Sequence, residues 1–549
     1  MSGAQQVDAV VVGAGFAGLY MLKRLRERGL NSVLLERGAG VGGTWYWNRY
    51  PGAKCDVESP FYSMSFDDPA LDQEWEWSTR YPDQAELMSF MNHVADRFNL
   101  REDIRLESSV ESATFDESSN TWSVTYRGPD GEKTLESRFF ILATGCLSVP
   151  NVPKFEGLEN FKGSVYHTGD WPHEEVDFTG LRVGVIGTGS SGVQLIPEVA
   201  KEASELKVFQ RTANYSVPAN NGPLTAEKLA KVKEEFPEIR EKMRNTGTGM
   251  PTPDPTELVS NTPDEVVRKV FEDHWTLGSF AIQNTFADLA INQESNDKLA
   301  HFIHEKIDGI VEDPEVAEKL KAREYPVGSK RICVDSNYYE TFNRSNVELV
   351  DVKSDPITSI TETGVATQNK EYELDALVLA TGFDAMTGAI MNIDIQGRDG
   401  KRIQEYWDAG PLTYLGLSVA GFPNMFSLAG PGSPSVLTNV VAAIEQHVEW
   451  VDEHIGYLDE HDFATSEAHP DYEREWVDHV NEIANMTLFL KGASWYLGAN
   501  VPGKPRVFMP YAGGLKAYRD RCEEIAANGY EGFQLVKRDA NAMSLSGAR

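Results

Sequence analysis

The chain has 549 residues, which is enough for two or three domains with buried cores. Its 84 acidic and 51 basic residues give a net charge of −33, which argues against binding to nucleic acid or to an anionic membrane surface. This charge fits a salt-rich cytoplasm and fits an acidic protein of ordinary habitat equally well. The four cysteines are too widely spaced for a CxxC redox pair or a metal site, and they favour free thiols in a reducing cytoplasm.

The longest uncharged apolar run near the N-terminus covers residues 9–22, and it is too short to span a bilayer. No Lys or Arg precedes it, so it does not read as a signal peptide. We therefore expect a soluble, cytoplasmic protein.

The first predicted unit is a buried strand, a tight turn and a helix in VDAVVVGAGFAGLYMLKRL. Gly13, Gly15 and Gly18 form a GxGxxG pattern, which permits the turn, the approach of a pyrophosphate and close packing of the helix. The next strand ends in Glu36, whose carboxylate suits a ribose diol and would repel a 2′-phosphate. The aromatic residues of segment 42–59 suit a flat isoalloxazine, and FFILATG is typical of a strand that closes a flavin domain. The unit is predicted to bind FAD.

The second unit repeats this pattern in LRVGVIGTGSSGVQLIPEVA. Its candidate nucleotide contacts are Gly187, Gly189, Ser190, Ser191 and Gly192. The following strand has no acidic residue at its end, and Arg211 comes after it. A guanidinium pairs well with a 2′-phosphate, so we predict NADP(H), with a solvated surface arginine as the alternative.

These patterns predict an α/β protein with two Rossmann-like domains, the second nested in the first, and a helical insertion. We expect that the insertion caps the active site, although a plain structural role is equally compatible with its helical periodicity. The predicted divisions are an FAD domain (1–149 and 383–540), an NADP domain (150–216 and 330–382), the insertion (217–329) and a disordered tail (541–549).

NADPH and FAD in one chain indicate hydride transfer to the flavin. No redox cysteine pair, metal-ligand pattern or haem motif offers a next electron acceptor in the sequence. Molecular oxygen is the natural acceptor, giving a flavin C4a-hydroperoxide or peroxide.

Two stretches carry a specific resemblance. FKGSVYHTGDWP, residues 161–172, matches the FxGxxxHTxxWP fingerprint of type I Baeyer–Villiger monooxygenases, and residues 42–56 resemble that family's second fingerprint. The likeness continues through residues 325–344 and 493–508, and GPGSPSVL is similar to the phenylacetone and steroid monooxygenase branch. The resemblance implies insertion of one oxygen atom beside a ketone carbonyl to give an ester or lactone, together with possible sulfide oxidation. It favours aryl, bulky cyclic or long-chain ketones.

The resemblance also implies the catalytic residues. Arg331 matches the family's catalytic arginine, and Asp56 matches the carboxylate that holds it. A fixed cation beside the flavin would stabilise an anionic peroxide and the tetrahedral adduct that follows. The alternative is a structural salt bridge between domains.

Further cofactor contacts are carried over in the same way. Lys330 matches a contact to the 2′-phosphate, beside Arg211 and Thr212. Trp495 matches a loop tryptophan that folds over the nicotinamide, although a core tryptophan is the alternative. The positions that correspond to FAD contacts are Thr44, Trp45, Asp56, Tyr62, Val110 and Val440.

The fingerprint contains His167, which first suggests a catalytic base. It lies in the connection between the two nucleotide units, where the mechanism needs no base. We interpret this stretch as a hinge, with Phe161 and Trp171 as anchors, Gly163 at the bend and His167 making a positioning hydrogen bond. Direct chemistry and plain packing are the alternatives.

Two other functions are open at this stage. A flavin N- or S-monooxygenase would use the protonated hydroperoxide, and the Asp56–Arg331 pair argues against it. A redox-sensing binding protein would need the nucleotide sites but not the arginine. The expected partners are a small ketone and O2, with no metal, nucleic acid or membrane, in a monomer or weak homo-oligomer.

Overall fold

The structure is a computed structural model that describes residues 5–538. The predicted tail, residues 541–549, lies outside this range. The elements of the first segment are β1 (Gln5–Val12), α1 (Phe16–Glu27), β2 (Ser32–Leu35), α2 (Thr44–Trp47), α3 (Ser59–Tyr62), α4 (Pro69–Glu74), α5 (Gln84–Arg97), β3 (Ile104–Arg105), β4 (Ser109–Asp116), β5 (Thr121–Gly128) and β6 (Gly131–Leu142).

The second segment leads into a group of helices. It contains β7 (Ser164–His167), β8 (Arg182–Ile186), α6 (Ser190–Glu202), β9 (Glu205–Gln210) and β10 (Ser216–Pro218). The helices that follow are α7 (Ala226–Arg244), α8 (Asp264–Leu277), α9 (Gln293–Ile310) and α10 (Pro314–Leu320).

The chain then completes both units. The next elements are β11 (Cys333–Asp335), α11 (Tyr338–Thr341), β12 (Val347–Asp351), β13 (Ile357–Ile360), β14 (Gly364–Thr367), β15 (Glu371–Glu373) and β16 (Ala376–Leu379). The last are α12 (Gly388–Met391), β17 (Asp394–Gln396), α13 (Ile403–Tyr406), β18 (Met425–Ser427), α14 (Val440–Glu460), β19 (Phe463–Ala468), α15 (Pro470–Asn485), α16 (Leu515–Ala527) and β20 (Phe533–Lys537).

Short 3-10 turns occur between these elements. They are Leu100–Asp103, Leu158–Asn160, Val259–Asn261, Phe280–Asn284, Arg398–Gly400, Ser435–Leu437, Leu488–Lys491 and Trp495–Leu497.

Two parallel sheets form the framework. In the first, β1 lies between β2 and β6, and an antiparallel extension of β4 and β5 continues from β6. The second has the order β12–β9–β8–β16–β7 and is parallel throughout. Strands β17 and β18 follow the second sheet in sequence but pair with β4 and β6 of the first. The predicted nesting of one Rossmann-like unit in the other is thus confirmed.

The apolar runs of the sequence explain why these sheets form. Residues 9–12 of β1 are fully or nearly fully buried, as in a parallel strand covered on both faces. The helices α8 and α9 share an apolar core with the second sheet, where Phe302 and Ile303 join the same cluster as Val185. Helices α8–α10 therefore pack with the second unit, whereas Ile239 and Met243 of α7 pack against Ala442 and Ala443 of α14 in the first unit. Among residues 5–538, no helix is long and apolar enough to cross a membrane.

Candidate functional site

In the first glycine loop, two glycines are required by close packing and the third lies beside open space. A Cβ added to Gly13 would lie 2.6 Å from the Ala143 carbonyl oxygen, and one added to Gly18 would lie 1.8 Å from the Gly13 carbonyl oxygen. At Gly15 the nearest atom would be the Gly43 Cα, at 3.5 Å. Packing therefore explains the outer glycines, and the middle one lies beside space at the start of α1. The helix has no side-chain cap there, so its first N–H groups are available to a pyrophosphate.

In the second glycine loop, close packing again explains the two outer glycines, and the middle glycine again lies beside open space. A Cβ at Gly187 would lie 2.4 Å from the Ala380 carbonyl oxygen, and one at Gly192 would lie 2.2 Å from the Gly187 carbonyl oxygen. At Gly189 the nearest atom would be Asn214 Nδ2, at 3.8 Å. Helix α6 begins directly afterwards without a side-chain cap, so Ser190 and Ser191 occupy its first turn. Both loops thus fit a dinucleotide.

Glu36 has a second function that its sequence position did not reveal. Its two carboxylate oxygens accept hydrogen bonds from the backbone N–H groups of Ala14 and Gly38, each at 2.7 Å. The side chain is almost fully buried. Each oxygen keeps a second lone pair, so the carboxylate can hold the first glycine loop and still accept from a ribose.

The predicted flavin contacts named here lie in four elements, α2, α3, β4 and α14. Thr44 and Trp45 begin α2, and the Trp45 indole N–H donates to the Tyr62 hydroxyl at 3.3 Å. Val110 lies in β4 and belongs to the apolar cluster beneath β1 and β2. Val440 is the first residue of α14 and is half-buried. The aromatic pair and the start of α14 contribute to one continuous apolar core.

Arg211 and Lys330 form a cationic site beside the second loop. Arg211 is exposed just after β9, and the carbonyl of Thr212 accepts from Thr188 Oγ1 at 3.2 Å. Burial and the neighbouring charge of Arg211 lower the pKa of Lys330, whose ammonium lies 4.5 Å from the centre of the Tyr325 ring. Within residues 5–538, neither Arg211 nor Lys330 forms an ion pair. Two neighbouring cations whose side chains are not held in such ion pairs suit a phosphate.

Arg331 and Asp56 are 275 positions apart and meet in space. The Asp56 Oδ2 atom accepts from Arg331 Nε at 2.9 Å and lies 2.8 Å from Nη2. Arg331 also donates to the Val436 carbonyl at 3.3 Å and packs on the Phe280 ring at 4.6 Å. Burial opposes the charge on Arg331, but the Asp56 carboxylate outweighs it, and the pKa of Arg331 is raised above its ordinary value. The cation is fixed on both sides.

A cavity of about 90 Å³ lies against Arg331. Its apolar walls include Phe280, Leu437 and Phe489. Tyr496 also lines it, and burial raises the pKa of this phenol to about 12 although the charge of Arg331 opposes the rise. Tyr496 is a cavity residue that the sequence motifs do not predict. Its position directly after Trp495 in SWYLGAN was the available signal.

Trp495 begins a short 3-10 turn and is half-buried. It packs beside the apolar group of Ala385, Met386 and Met509, and its ring centre lies 4.5 Å from that of Tyr496. Gly498 and Gly503 have left-handed backbones, with φ of 67° and 81°. The loop therefore turns sharply twice after Tyr496, its contact with the cavity.

The fingerprint residues lie where the chain crosses between the two units. His167 ends β7, accepts from the Gly169 N–H at 3.0 Å through Nδ1, and lies 3.2 Å from Thr381 Oγ1 through Nε2. The Thr381 hydroxyl donates to the Asn151 carbonyl at 2.6 Å. Burial lowers the pKa of His167, so the ring is neutral at pH 7. Thr381 belongs to the return crossing, residues 380–387, and Asn151 belongs to the outward crossing, residues 143–163. His167 thus contacts the return crossing directly and the outward crossing through Thr381.

The other three fingerprint residues pack around this point. Phe161 joins a small apolar cluster under the second sheet. A Cβ at Gly163 would lie 2.3 Å from the Asp375 carbonyl oxygen, so close packing explains this glycine. The Trp171 ring is buried, and its backbone N–H donates to the Trp47 carbonyl of the first unit at 3.2 Å.

The two crossings run side by side and carry the Trp495 loop. Asn151 N–H donates to the Gly382 carbonyl at 2.9 Å. Asn500, from the loop, accepts through its carbonyl from Asn151 Nδ2 at 3.0 Å and donates through Nδ2 to the Phe383 carbonyl at 2.7 Å. Lys504 pairs with Asp384. The sequence motifs do not predict these loop contacts, because the partners are far apart along the chain.

Comparison with known proteins places this geometry in a family. The model of the flavin-binding monooxygenase-like family matches residues 6–219. A Baeyer–Villiger monooxygenase from Pseudooceanicola batsensis is 41% identical over 527 residues, covering 95% of each chain. The structure of an oxidised steroid monooxygenase bound to NADP superposes with a TM-score of 0.93 at 48% identity, covering 97% of this chain and 100% of that one.

One similar protein has a different printed activity. The phenazine N-monooxygenase PhzNO1 of Lysobacter antibioticus is 40% identical over 540 residues, covering 98% of each chain. The resemblance inferred from the two fingerprints is nevertheless confirmed over nearly the whole length. This chain belongs to the Baeyer–Villiger monooxygenase family.

Proposed function

We propose that this protein is an FAD-containing, NADPH- and O2-dependent monooxygenase that inserts one oxygen atom beside the carbonyl of a ketone. The products are an ester or lactone, NADP+ and water. The observation that carries the proposal is the Asp56-bound guanidinium of Arg331, which faces a partly apolar cavity.

The cofactors supply the redox chemistry, and the chain binds and positions them. Bound FAD, reduced by NADPH in the presence of O2, supplies the activated oxygen atom. The outer glycines shape the two loops, and the first turns of α1 and α6 direct backbone N–H groups at the pyrophosphates. Arg211 and Lys330 select the 2′-phosphate of NADPH.

Arg331 stabilises negative charge during oxygen transfer. Negative charge develops on the attacking oxygen and then on the carbonyl oxygen, and a fixed cation lowers the energy of both. Asp56 holds the guanidinium through Nε and Nη2, so that it does not reorganise during the step. Because its pKa is raised, Arg331 keeps its charge at any pH at which the protein is folded.

The Trp495 loop and the crossings govern access and geometry. We assign Trp495 to cover the nicotinamide side of the cavity and to exclude water. His167 positions the crossings by hydrogen bonding and does not take part in proton transfer. Its neutral ring, with both nitrogens in contact with protein groups, supports this role.

The preferred ketone is aryl, bulky cyclic or long-chain. The run GPGSPSVL supports this choice, because its last residues include Val436, which accepts from Arg331, and Leu437, which lines the cavity. The same site would oxidise sulfides.

N-oxidation is a second candidate because of the 40% identity to a phenazine N-monooxygenase. Transfer of oxygen to a nucleophilic nitrogen uses the neutral hydroperoxide, which gains less from a fixed cation. The strong Arg331–Asp56 pair therefore favours the ketone reaction.

The cellular setting follows from the thiols. Cys55, Cys146, Cys333 and Cys522 are all unpaired in the described part of the chain. This supports work in a reducing cytoplasm. We also propose a monomer or weak homo-oligomer.

The test is an assay of NADPH oxidation with a panel of ketones and N-heteroarenes under 18O2, with products identified by mass spectrometry. We expect an ester or lactone that carries one 18O atom from at least one ketone. N-oxide from a heteroarene with no ester from any ketone would support the second candidate, and NADPH oxidation without oxygenated product would contradict both.

A further inference from the structure

Gln194 joins the two units at a point close to Asp56. It lies on α6, one turn after Ser190 and therefore on the same face of the helix. Its Oε1 atom accepts from the Tyr50 hydroxyl at 2.9 Å and from the Lys54 N–H at 3.3 Å, and its Nε2 atom donates to the Lys54 carbonyl at 3.0 Å. One carboxamide thus makes three hydrogen bonds to the first unit.

On the side opposite Gln194, the segment around Lys54 pairs with residues 82–84. Lys54 forms an antiparallel bridge with Asp83. The Cys55 N–H donates to the Pro82 carbonyl, and the Gln84 N–H donates to the Ala53 carbonyl, each at 3.0 Å. In such a bridge the N–H and C=O of Lys54 point away from its partner. The Gln194 carboxamide pairs with both and acts as one peptide unit of a third strand.

The segment that Gln194 binds also packs closely against the backbone of α6. A Cβ added to Gly52 would lie 2.5 Å from the Gln194 carbonyl oxygen, so the segment approaches the α6 backbone directly. Asp56 follows Lys54 by two residues, which is no more than about 7 Å of extended chain. The segment from Tyr50 to Asp56 is therefore clamped between α6 and residues 82–84.

We infer that Gln194 is a positioning residue, which sets the place of Asp56, and through it Arg331, according to the position of α6. Helix α6 begins at the loop proposed to hold the NADP pyrophosphate. Gln194 lies in the first turns of this helix, so its position follows that of the nucleotide-binding unit. The inference rests on the proposed function, because it assigns an effect on oxygen transfer through the Asp56–Arg331 pair.

The first test replaces Gln194 by Met, which keeps the length and the helix propensity but removes all three hydrogen bonds. We expect ester formation per NADPH oxidised to fall about 10- to 100-fold, as a small misplacement of a fixed catalytic group costs. The KM for NADPH should change less than about threefold, since the change moves no predicted nucleotide contact. Glu198→Gln, one turn further along the same face, is the matched control and should match wild type.

A double-mutant cycle separates positioning from plain destabilisation. In an Asp56→Glu background the carboxylate is already displaced, so adding Gln194→Met should cost far less than it does in wild type. Hydrogen exchange gives a readout independent of activity, because the Lys54 amide should lose protection in Gln194→Met and keep it in Glu198→Gln. If Gln194→Met fails to fold, Gln194→Glu, which keeps the two acceptor contacts and loses the donor contact, enters the same cycle.

Additive costs in the cycle, or an unchanged ester yield in a Gln194 variant, would overturn the inference. Absence of ester from the wild-type enzyme would instead contradict the proposed function, so the two failures are distinguishable.

Discussion

At the scale of single residues, charge decides which nucleotide each loop prefers. Glu36 lies at the end of β2, where a 2′-phosphate would meet a carboxylate. Arg211 and Lys330 lie near each other at the second loop, and neither forms an ion pair within residues 5–538. This difference favours FAD in the first unit and NADPH in the second.

Arg211→Ala should weaken NADPH binding and leave NADH binding unchanged. Loss of one charge-assisted hydrogen bond, worth about 1.5–3 kcal/mol, corresponds to a rise of about 10- to 100-fold in the NADPH dissociation constant. Titration calorimetry with both nucleotides measures this. Arg344→Ala, at an exposed position away from the loop, is the control. Unchanged NADPH affinity would remove the assignment.

Single positions also show what the sequence could predict. The spacing of glycines identified both loops and Glu36, because backbone geometry requires those residue types. It did not indicate that Glu36 also binds two backbone N–H groups, or that Tyr496 lines the cavity, because such contacts depend on loop positions that local pattern does not determine.

At the scale of elements, the Trp495 loop connects the cavity to the crossings. Tyr496 lines the cavity, and Asn500 and Lys504 hold the loop on residues 383–385 and Asn151. A displacement of the crossings should therefore move the loop that we propose to cover the site.

Trp495→Ala should uncouple NADPH oxidation from oxygen transfer. Loss of the ring opens the cavity to water, so the fraction of NADPH that yields hydrogen peroxide should rise several-fold, or the KM for NADPH should rise. Trp495→Phe, which keeps an aromatic ring, should show a smaller effect. A peroxide assay with parallel kinetics measures both, and unchanged values in Trp495→Ala would show that the residue is not a lid.

Helix α14 carries a half-buried carboxylate, Glu449, outside the site. Burial and the neighbouring Glu445 raise the pKa of Glu449 to about 7, against partial compensation by Arg244 and Arg519. Its pKa in the unfolded chain is about 4.3, so the neutral form favours folding at low pH and this contribution is lost as the pH rises through 7.

Glu449→Gln should therefore raise the melting temperature at pH 8 by a few degrees and change it little at pH 4.5. The groups that face Glu449, including Tyr20 and Asp67, stay in place in this variant. Scanning calorimetry between pH 4.5 and 8 measures the difference, and a gain of equal size at both ends would contradict the account.

At the scale of the whole molecule, function depends on two units that share crossings. The order of the motifs predicted the nesting, since the second glycine loop lies between the two segments predicted for the FAD domain. The contacts between the units were not predictable, because Gln194, Asn500 and His167 bind partners 117 to 349 positions away.

His167→Ala should impair the relative placement of the units. We expect slower flavin reduction by NADPH together with slower oxygen transfer, because both steps need the NADP unit correctly placed relative to the FAD unit. His167→Gln, which can replace both ring contacts, should restore most of the rate. Stopped-flow absorbance measures the reductive step. If oxygen transfer alone were abolished, His167 would be assigned a chemical role.

The central claim is that Arg331, held by Asp56, drives oxygen transfer to a ketone. The most direct measurement compares ester formed per NADPH oxidised in wild type and in Arg331→Ala, with flavin reduction followed in the same samples. The account predicts reduction within about threefold of wild type and a fall in ester of about 10²–10³-fold, with hydrogen peroxide in its place. An Arg331→Ala enzyme that still forms ester at close to the wild-type yield would contradict it.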